Sequence, residues 1–152
     1  MNTQVLIELF ERDLTRLKKE LSLYKKEEMM WLVKSEINNS AGNLALHIIG
    51  NLKTFVGTNL GGTGYIRNRE AEFSEKNVPR TKTLKMIDET FKVIQSTINN
   101  FTKNDLNKLY PVQVFKNKKE MTNEYFLIHL YGHLNYHLGQ INYHRRLIQN
   151  NE

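Results

Sequence analysis

The chain has 152 residues, of which 39% are hydrophobic and 25% are charged, and its formal net charge is +6. This composition predicts one domain with a buried core over residues 1–152. The absence of cysteine excludes disulfides, thiolate metal ligands and a cysteine nucleophile. No apolar run approaches the ~20 residues that span a bilayer, and the amphipathic N-terminal segment carries acidic residues, unlike a signal peptide. We therefore expect a cytoplasmic protein without membrane contact.

The excess of basic residues does not indicate a nucleic-acid-binding surface. Lysines are scattered along the chain, and most lie beside acidic residues or in predicted loops. Nucleic-acid-binding domains typically cluster their basic residues on one face or along one helix. We therefore interpret the lysines as a solvated surface and expect no nucleic-acid partner.

The first predicted helix covers residues 3 to 24. Its apolar residues recur at three- and four-residue spacing, which indicates one buried stripe, and Thr3 is a candidate N-cap. A mixed stretch at 25–37 is predicted as a short helix or turn, and its Trp31 is expected in the core. The stripe consists of Leu6, Leu9, Phe10, Leu14, Leu17, Leu21 and Tyr24.

The second predicted helix covers residues 41 to 59, after an Asn-Asn-Ser start signal at 38–40. It is apolar around most of its circumference, which is typical of a helix buried on several sides. Asn43, His47 and Asn51 interrupt it at four-residue spacing and therefore share one face. Because an unpaired buried polar group costs ~1–3 kcal/mol, this face needs partners. By itself the pattern also fits a hydrogen-bonded core histidine.

Glycines at 60–64 end the second helix. They do not match a phosphate-binding loop, because they follow a helix and the lysine of that motif is missing. In the polar segment 65–73, Arg67 and Arg69 either bind an anionic ligand or pair with glutamates close by in the sequence. Those glutamates are Glu70, Glu72 and Glu75.

Two further helices complete the pattern. Residues 83 to 101 repeat apolar positions at the spacing of bundle helices. Residues 102–121 are predicted as a polar connector with a short extended hairpin over 110–115. The last helix is predicted from Thr122, a candidate cap, to residue 149. No internal repeat is evident, so four long amphipathic helices predict an all-α four-helix bundle.

Two glycines, Gly132 and Gly139, lie inside the predicted fourth helix. Each costs up to ~1 kcal/mol relative to alanine at such a position. We therefore expect another helix or a ligand to approach the fourth helix closely at these glycines.

Histidines dominate the same helix. Four of the five histidines fall between residues 129 and 144, and His129, His133 and His137 follow one another at four-residue spacing. Side chains four apart on a helix have Cβ atoms roughly 5–6 Å apart, so two imidazoles can bind one ion. At ~1.5 Å per residue His129 lies about 12 Å from His137 along the axis, too far to share that ion. His144 breaks the spacing and is expected to be exposed.

These patterns predict a metal site formed by His47, His133 and His137. Three imidazoles with an open position are typical of catalytic zinc, and nickel, copper, iron or manganese also accept such ligands. Asn43, Asn51, His129 and Gln140 are predicted to support the ligands through hydrogen bonds or packing. The zinc-protease motif places a glutamate directly after its first histidine. Leu134 stands there instead, which excludes that activity and leaves the catalytic base unknown.

The motif His133-x-x-x-His137-x-Gly139-Gln140, preceded by His47 and by the segment 60–73, resembles the DinB-like (YfiT-like) metalloprotein superfamily. The resemblance covers essentially the whole chain. It implies an up-down-down-up bundle, a divalent metal on the three histidines and a homodimer. Some relatives are thiol-dependent transferases or isomerases that use bacillithiol, mycothiol or glutathione. Better-known members often have arginine where this chain has Leu138.

Three functions follow from these observations. The first is a metal-dependent enzyme, a thiol-dependent S-transferase or a hydrolase acting on a small molecule, with the thiol supplied by a low-molecular-weight cofactor. Arg67, Arg69 and Tyr136 would then contact the small molecule. The second is a non-enzymatic metal-binding stress-response protein. The third is a helical interaction module whose histidines fill the core. Tyrosines expected on the surface of the fourth helix favour a homodimer: Tyr125, Tyr131 and Tyr143.

Overall fold

The computed structural model describes residues 2–34, 36–102, 104–118 and 120–149. Within these ranges the fold is all-α, as predicted, and no strand forms. The α-helices are α1 (Thr3–Ser22), α2 (Ala41–Leu52), α3 (Asn59–Gly61), α4 (Arg69–Ser74), α5 (Arg80–Asn99) and α6 (Asn123–Gln149). Shorter helical segments are the 3-10 turns Glu27–Trp31 and Asp105–Asn107 and the π-helical segment Lys53–Thr58.

Side-chain caps define where the first two long helices begin. The Asn2 side chain accepts a hydrogen bond from the Gln4 N–H at 2.9 Å, so Thr3 is the first helical residue and its prediction as the cap is wrong. Ser40 caps α2, because its hydroxyl accepts from the Asn43 N–H at 3.2 Å. The start signal in the sequence therefore predicted this second boundary correctly.

The central helix is α2. All twelve of its residues are buried, which confirms the prediction of a helix covered on several sides. It continues through Lys53–Thr58 into α3, so one unbroken helical run covers residues 41–61. The Thr54 hydroxyl donates to the Gly50 carbonyl at 2.8 Å where the wider turns begin.

The helices α1 and α6 lie side by side and run in the same direction. Near the start of both, the rings of Phe10 and Tyr131 are 5.7 Å apart and edge-to-face. Further along both, Arg145 Nε donates to Glu20 Oε2 at 2.8 Å. The contacts advance together along the two helices, which therefore are parallel.

By contrast, α2 runs antiparallel to α6. His47 contacts His133, whereas Phe55, which lies later in the chain, contacts the earlier Phe126 at 5.4 Å between ring centroids. Since α6 is parallel to α1, α2 is antiparallel to α1 as well.

The remaining long helix, α5, is antiparallel to α1. Lys18 Nζ donates to Asp88 at 2.6 Å, and the Ser22 carbonyl accepts from Arg80 at 3.3 Å. The four long helices therefore run up, down, down and up, as expected. None of the described helices is long and apolar enough to cross a membrane.

The core lies between these helices and includes the segment before α2. Met29, Met30 and Trp31 are buried, as predicted for Trp31. The Trp31 ring packs on Gly42, where a Cβ would lie only 2.6 Å from ring carbons. Glycine at position 42 therefore makes room for the tryptophan.

The connector before α6 differs from the prediction. Residues 110–115 form no two-stranded hairpin, and isolated bridges such as that between Leu109 and Thr122 are present instead. Pro111 has no N–H to donate to a strand pair. Tyr110 enters the core, and its hydroxyl donates to the Phe55 carbonyl at 2.7 Å, which fixes the connector to the central helix.

The glycines of α6 were expected to meet another helix or a ligand, and only contact within this chain can be compared with that expectation. A Cβ built at Gly132 or Gly139 meets no atom within 4 Å. No described part of this chain therefore approaches α6 closely at either glycine, and this side of the helix is open.

Candidate metal centre

Three imidazoles meet between α2 and α6. His133 Nε2 lies 3.2 Å from His47 Nε2 and 3.1 Å from His137 Nε2, and the three ligand atoms lie within 4.8 Å of one another. In the part of the chain that the structure describes, no other three His, Cys, Asp or Glu residues meet in this way. The structure therefore brings together the three residues that the sequence predicts as ligands.

The outer nitrogens of two of these imidazoles face hydrogen-bond acceptors. His47 Nδ1 lies 2.9 Å from Glu72 Oε2, and His137 Nδ1 lies 2.6 Å from Gln140 Oε1. Arg67 Nη2 also lies 3.2 Å from His47 Nδ1, but the contact with the Glu72 carboxylate is shorter. An acceptor at Nδ1 selects the tautomer with its proton there and leaves the lone pair on Nε2. Both lone pairs are therefore directed toward His133. Gln140 contacts His137, and its predicted support of a metal ligand stays a prediction.

The carboxylate behind His47 is itself paired. Arg67 donates to both oxygens of Glu72, at 2.6 Å from Nε and 2.8 Å from Nη2. Burial raises the pKa of Glu72, but the hydrogen bonds from Arg67 and His47 outweigh it and hold this pKa below its ordinary value. Glu72 is therefore an ionised carboxylate whose charge is balanced by Arg67. Of the two roles open to Arg67, the structure contains the glutamate pair.

The donor set fits a divalent transition metal. Tetrahedral bonds of ~2.0–2.1 Å to imidazole separate the ligand nitrogens by about 3.3 Å, close to the 3.1 and 3.2 Å found around His133. Burial, with the neighbouring His137 and His47, lowers the pKa of His133 to about 4. His133 is therefore neutral at pH 7, which is the form that binds metals.

The two predicted asparagines of α2 have different environments. Asn43 Nδ2 donates to the carbonyls of Glu72 at 3.0 Å and Glu75 at 2.9 Å, so it holds α4 against α2 and supports Glu72 through the backbone. Asn51 follows His47 by one turn on the same face. Its Oδ1 is buried without a hydrogen-bond partner among the described residues, which leaves an acceptor available beside the triad.

The other predicted neighbour, His129, packs among aromatic rings. Its centroid lies 4.8 Å from that of Phe115 and 5.7 Å from that of Phe126, and burial lowers its pKa. Its predicted support of the ligands stays a prediction.

His144 is buried, so its predicted exposure is wrong. Its Nδ1 lies 2.6 Å from the Tyr24 hydroxyl, and its Nε2 lies 2.8 Å from the Leu32 carbonyl. Burial lowers the pKa of His144 despite the bond to Leu32. The two adjacent arginines suggested exposure, but position 144 faces the segment between α1 and α2, where Tyr24 and Leu32 lie.

Two residues predicted to contact a small molecule lie at the rim of the triad. Tyr136 is 65% exposed, and its ring centroid is 5.2 Å from that of His137. The exposed Arg69 lies over the ring of Phe73 at 5.5 Å, and Phe73 packs on His47 at 5.1 Å. Their contact with a ligand stays a prediction.

Comparison with known proteins gives a family. A family model described as "Protein of unknown function (DUF1572)" matches residues 3–152. The chain belongs to the DUF1572 family. None of the curated proteins matches it.

Sequence reasoning placed Glu72 of this DUF1572 chain only as a possible partner of an arginine and missed its contact with His47. The two residues are 25 positions apart, and α4 that carries Glu72 has only six residues, too few to show a periodic pattern. The available signal was the number of acidic residues near Arg67, which did not single out one of them.

Proposed function

We propose that this chain is a DinB-like metalloprotein that binds one divalent transition-metal ion through the Nε2 atoms of His47, His133 and His137. The observation that carries the proposal is the convergence of these three nitrogens with two outer nitrogens already hydrogen-bonded. Zinc or nickel suits three neutral imidazoles best, with iron and manganese as alternatives.

We further propose that the loaded protein is an enzyme, a thiol-dependent S-transferase or a hydrolase acting on a small molecule. A bound ion would supply Lewis-acid chemistry that lowers the pKa of a thiol or a water. The chain's own residues support an anionic nucleophile at this centre, because imidazole ligands bring no negative charge to a metal and Arg67 already balances the charge of Glu72. Since the chain has no cysteine, the thiol comes from a low-molecular-weight cofactor.

One observation favours a second candidate, a non-enzymatic metal-binding protein. Both oxygens of Glu72 accept hydrogen bonds from Arg67, so this carboxylate is not free to act as a general base. Thiol transfer is less affected than hydrolysis, because a thiolate attacks directly once it has formed. The same observation therefore favours the transferase within the first candidate.

The metal content of untagged protein tests the proposal. We expect about one equivalent of zinc or nickel after reconstitution. We expect none in a His133→Ala, His137→Ala double variant, because such a site needs three protein ligands and the variant keeps one. His144→Gln is the matched control, since it removes a histidine of the same helix whose partners, Tyr24 and Leu32, lie outside the triad, and it should keep the metal. No metal in the wild type would leave the three histidines as core residues and refute the proposal.

Activity is tested next on the zinc-loaded and the nickel-loaded protein. We expect consumption of a chromogenic electrophile only when glutathione, cysteine or another small thiol is added. A loaded protein that neither binds these thiols nor reacts would favour the non-enzymatic candidate.

The homodimer also stays a proposal. Tyr125 and Ile128 are about half exposed, at 47% and 49%, and Gly132 is open to solvent. These residues share one face of α6 at three- and four-residue spacing, which suits helix packing. Tyr131, in contrast, is turned to Asp13, to which its hydroxyl donates at 2.6 Å.

Sedimentation velocity tests the homodimer. We expect dimers for the wild type and for the exposed control Asn99→Glu, and monomers for Gly132→Glu. Wild-type monomers would contradict the proposal.

A further inference from the structure

A cavity of about 260 Å³ lies between α2, the short α4 and the first turns of α5. Leu46 and Ile49 of α2 line it. At about 3.6 residues per turn these two side chains leave α2 on the side away from His47, so the cavity is separate from the histidine triad. Its volume lies just below the range of roughly 300–1,000 Å³ that drug-sized ligands occupy, which suits a smaller molecule.

The walls of this cavity are aliphatic, and we call it the aliphatic cavity. Leu46 and Ile49 are 8% and 1% exposed, and Val78 and Met86 contribute two partly buried apolar side chains to the lining. Ile66 also lines the cavity and is 90% exposed, so it lies at the mouth. Contact with an aliphatic group would remove apolar surface of these side chains from water, which is favourable. The cavity therefore suits an aliphatic group.

Two opposite charges lie at the rim of the aliphatic cavity. Glu75 directly follows α4, and Lys82 lies in the first turn of α5. Both side chains line the cavity and are exposed. Neither side chain makes a hydrogen bond or an ion pair with the described residues. The Lys82 ammonium can therefore bind a carboxylate of a ligand, and the Glu75 carboxylate can bind an ammonium.

A ligand that carries both charges suits this rim better than a ligand that carries one. A carboxylate alone would be attracted to Lys82 and repelled by Glu75, and an amine alone would be repelled by Lys82. An α-amino acid carries an ammonium and a carboxylate on one carbon atom. Its side chain remains free to enter the cavity and contact the aliphatic walls.

We infer that the aliphatic cavity binds an α-amino acid with an aliphatic side chain of about the size of leucine. Its carboxylate binds Lys82, its ammonium binds Glu75, and its side chain contacts Leu46 and Ile49. The inference goes beyond the proposed function, because none of the three histidines lines the cavity. Glu72, which contacts His47, also lines it, so the occupant lies against the helix that supports the triad.

Methyl NMR on the metal-free full chain tests the inference. The metal is removed because amino acids themselves bind zinc. The probes are L-leucine, 4-methylpentanoate, which lacks the ammonium, and 3-methylbutylamine, which lacks the carboxylate. We expect leucine to shift the signals of Leu46, Ile49 and Met86 and to leave that of the exposed Val5 unchanged. Leucine should bind about tenfold more tightly than either analogue, the effect of one additional charge-assisted hydrogen bond.

Two substitutions at the rim separate the two charges. Lys82→Gln should weaken leucine binding about tenfold without weakening the binding of 3-methylbutylamine. Glu75→Gln should weaken leucine binding to the same extent without weakening the binding of 4-methylpentanoate. The matched controls are Lys85→Gln on α5 and Glu70→Gln on α4, which are exposed and lie outside the lining. Both controls should bind leucine like the wild type.

Three results would overturn the inference. The first is the absence of shifts at Leu46 and Ile49 with millimolar leucine. The second is equal affinity for leucine and its two analogues, which would mean that the rim charges do not contribute. The third is wild-type affinity for leucine in both rim variants. None of these results depends on a bound metal, so the proposed function is tested separately by the metal content.

Discussion

The histidine ligands are oriented by residues that contact their outer nitrogens. His47 depends on Glu72, which in turn depends on Arg67. Such partners fix the tautomer and the ring orientation of a metal-binding histidine. The affinity of the site for a metal is therefore expected to respond to changes that touch no ligand.

Replacement of Glu72 by glutamine tests this dependence. Glu72→Gln keeps the shape of the side chain but removes the charge that pairs with Arg67 and accepts from His47. We expect zinc affinity to fall about 10–100-fold, the usual effect of losing such a partner, measured by competition with a chromogenic chelator. Glu75→Gln, in the same segment but exposed, is the control. Equal affinities of the two variants would show that Glu72 does not orient His47.

Asn51 gives a second test at this scale. Its buried Oδ1 has no described partner, and such a group costs ~1–3 kcal/mol. Asn51→Leu should therefore raise the free energy of unfolding of the metal-free protein in urea. It should also reduce the additional stability that zinc confers, because a water or thiol bound to the zinc would lose Asn51 Oδ1 as a hydrogen-bond acceptor.

The control for Asn51 is Asn123, a second buried asparagine whose Oδ1 has no described partner. Asn123 Nδ2 donates to the Asp105 carbonyl, away from the triad. Asn123→Leu should change the stability of metal-free and zinc-loaded protein by the same amount. The same behaviour in Asn51→Leu would contradict a role for Asn51 at the centre.

Some positions and contacts of individual residues could be predicted from the sequence, and others could not. The pair His133 and His137 was predictable, because four-residue spacing places them on one helix face whatever the tertiary structure, whereas His47 was added only as the histidine on the polar face of another helix. The contact of Glu72 with His47 and the burial of His144 depend on how separate helices pack. The residues adjacent in the sequence do not reveal how separate helices pack.

At the scale of elements, α2 and the short α4 are coupled through a glycine. Gly50 lies directly beneath the Glu72 carboxylate, and a Cβ built there collides with Glu72 Oε1. The carboxylate cannot simply move aside, because Arg67 and His47 hold it. Glycine at position 50 therefore allows α4 to bring Glu72 to the imidazole.

Gly50→Ala is expected to weaken zinc binding. The added methyl group displaces Glu72 from His47, although alanine favours a helix by up to ~1 kcal/mol over glycine. The control is Gly139→Ala, where a Cβ meets no atom within 4 Å; it should stabilise the protein and leave zinc affinity unchanged. Chelator competition and urea unfolding measure the two effects. A Gly50→Ala protein with wild-type affinity would exclude the coupling.

Periodic patterns predicted the long helices well, because each buries one apolar stripe or, for α2, its whole circumference. The predicted run at 41 to 59 corresponds to helical residues 41–61. The polar connector at 102–121 has no such pattern. Its position depends on the hydrogen bond from the Tyr110 hydroxyl to the Phe55 carbonyl. At Gly132 and Gly139 no described part of this chain makes the expected close approach, and approach by a ligand or a second molecule stays a prediction, because helix propensity indicates that a glycine is costly but does not identify what compensates for the cost.

Across the whole molecule, buried histidines make stability depend on pH. Burial lowers the pKa values of His129, His133, His137 and His144. The folded chain keeps these imidazoles neutral at pH values where the unfolded chain binds protons, below the ordinary pKa of about 6.5. The unfolded state then binds more protons, so the free energy of unfolding decreases as the pH falls.

We therefore expect the urea midpoint of the chelated protein to fall steadily from pH 7 to the pKa of His133, about 4. The buried Asp13 contributes only at the acidic end of this window. Burial raises its pKa, but hydrogen bonds from Arg12 and Tyr131 lower it to about 2, so its stabilisation begins to be lost only below about pH 5, as the unfolded carboxyl with its ordinary pKa of about 3.9 binds protons. His144→Gln removes one titrating group and should reduce the slope between pH 6.5 and 4.5. A slope unchanged by this substitution, or a midpoint independent of pH, would mean that the histidines are protonated in the folded state.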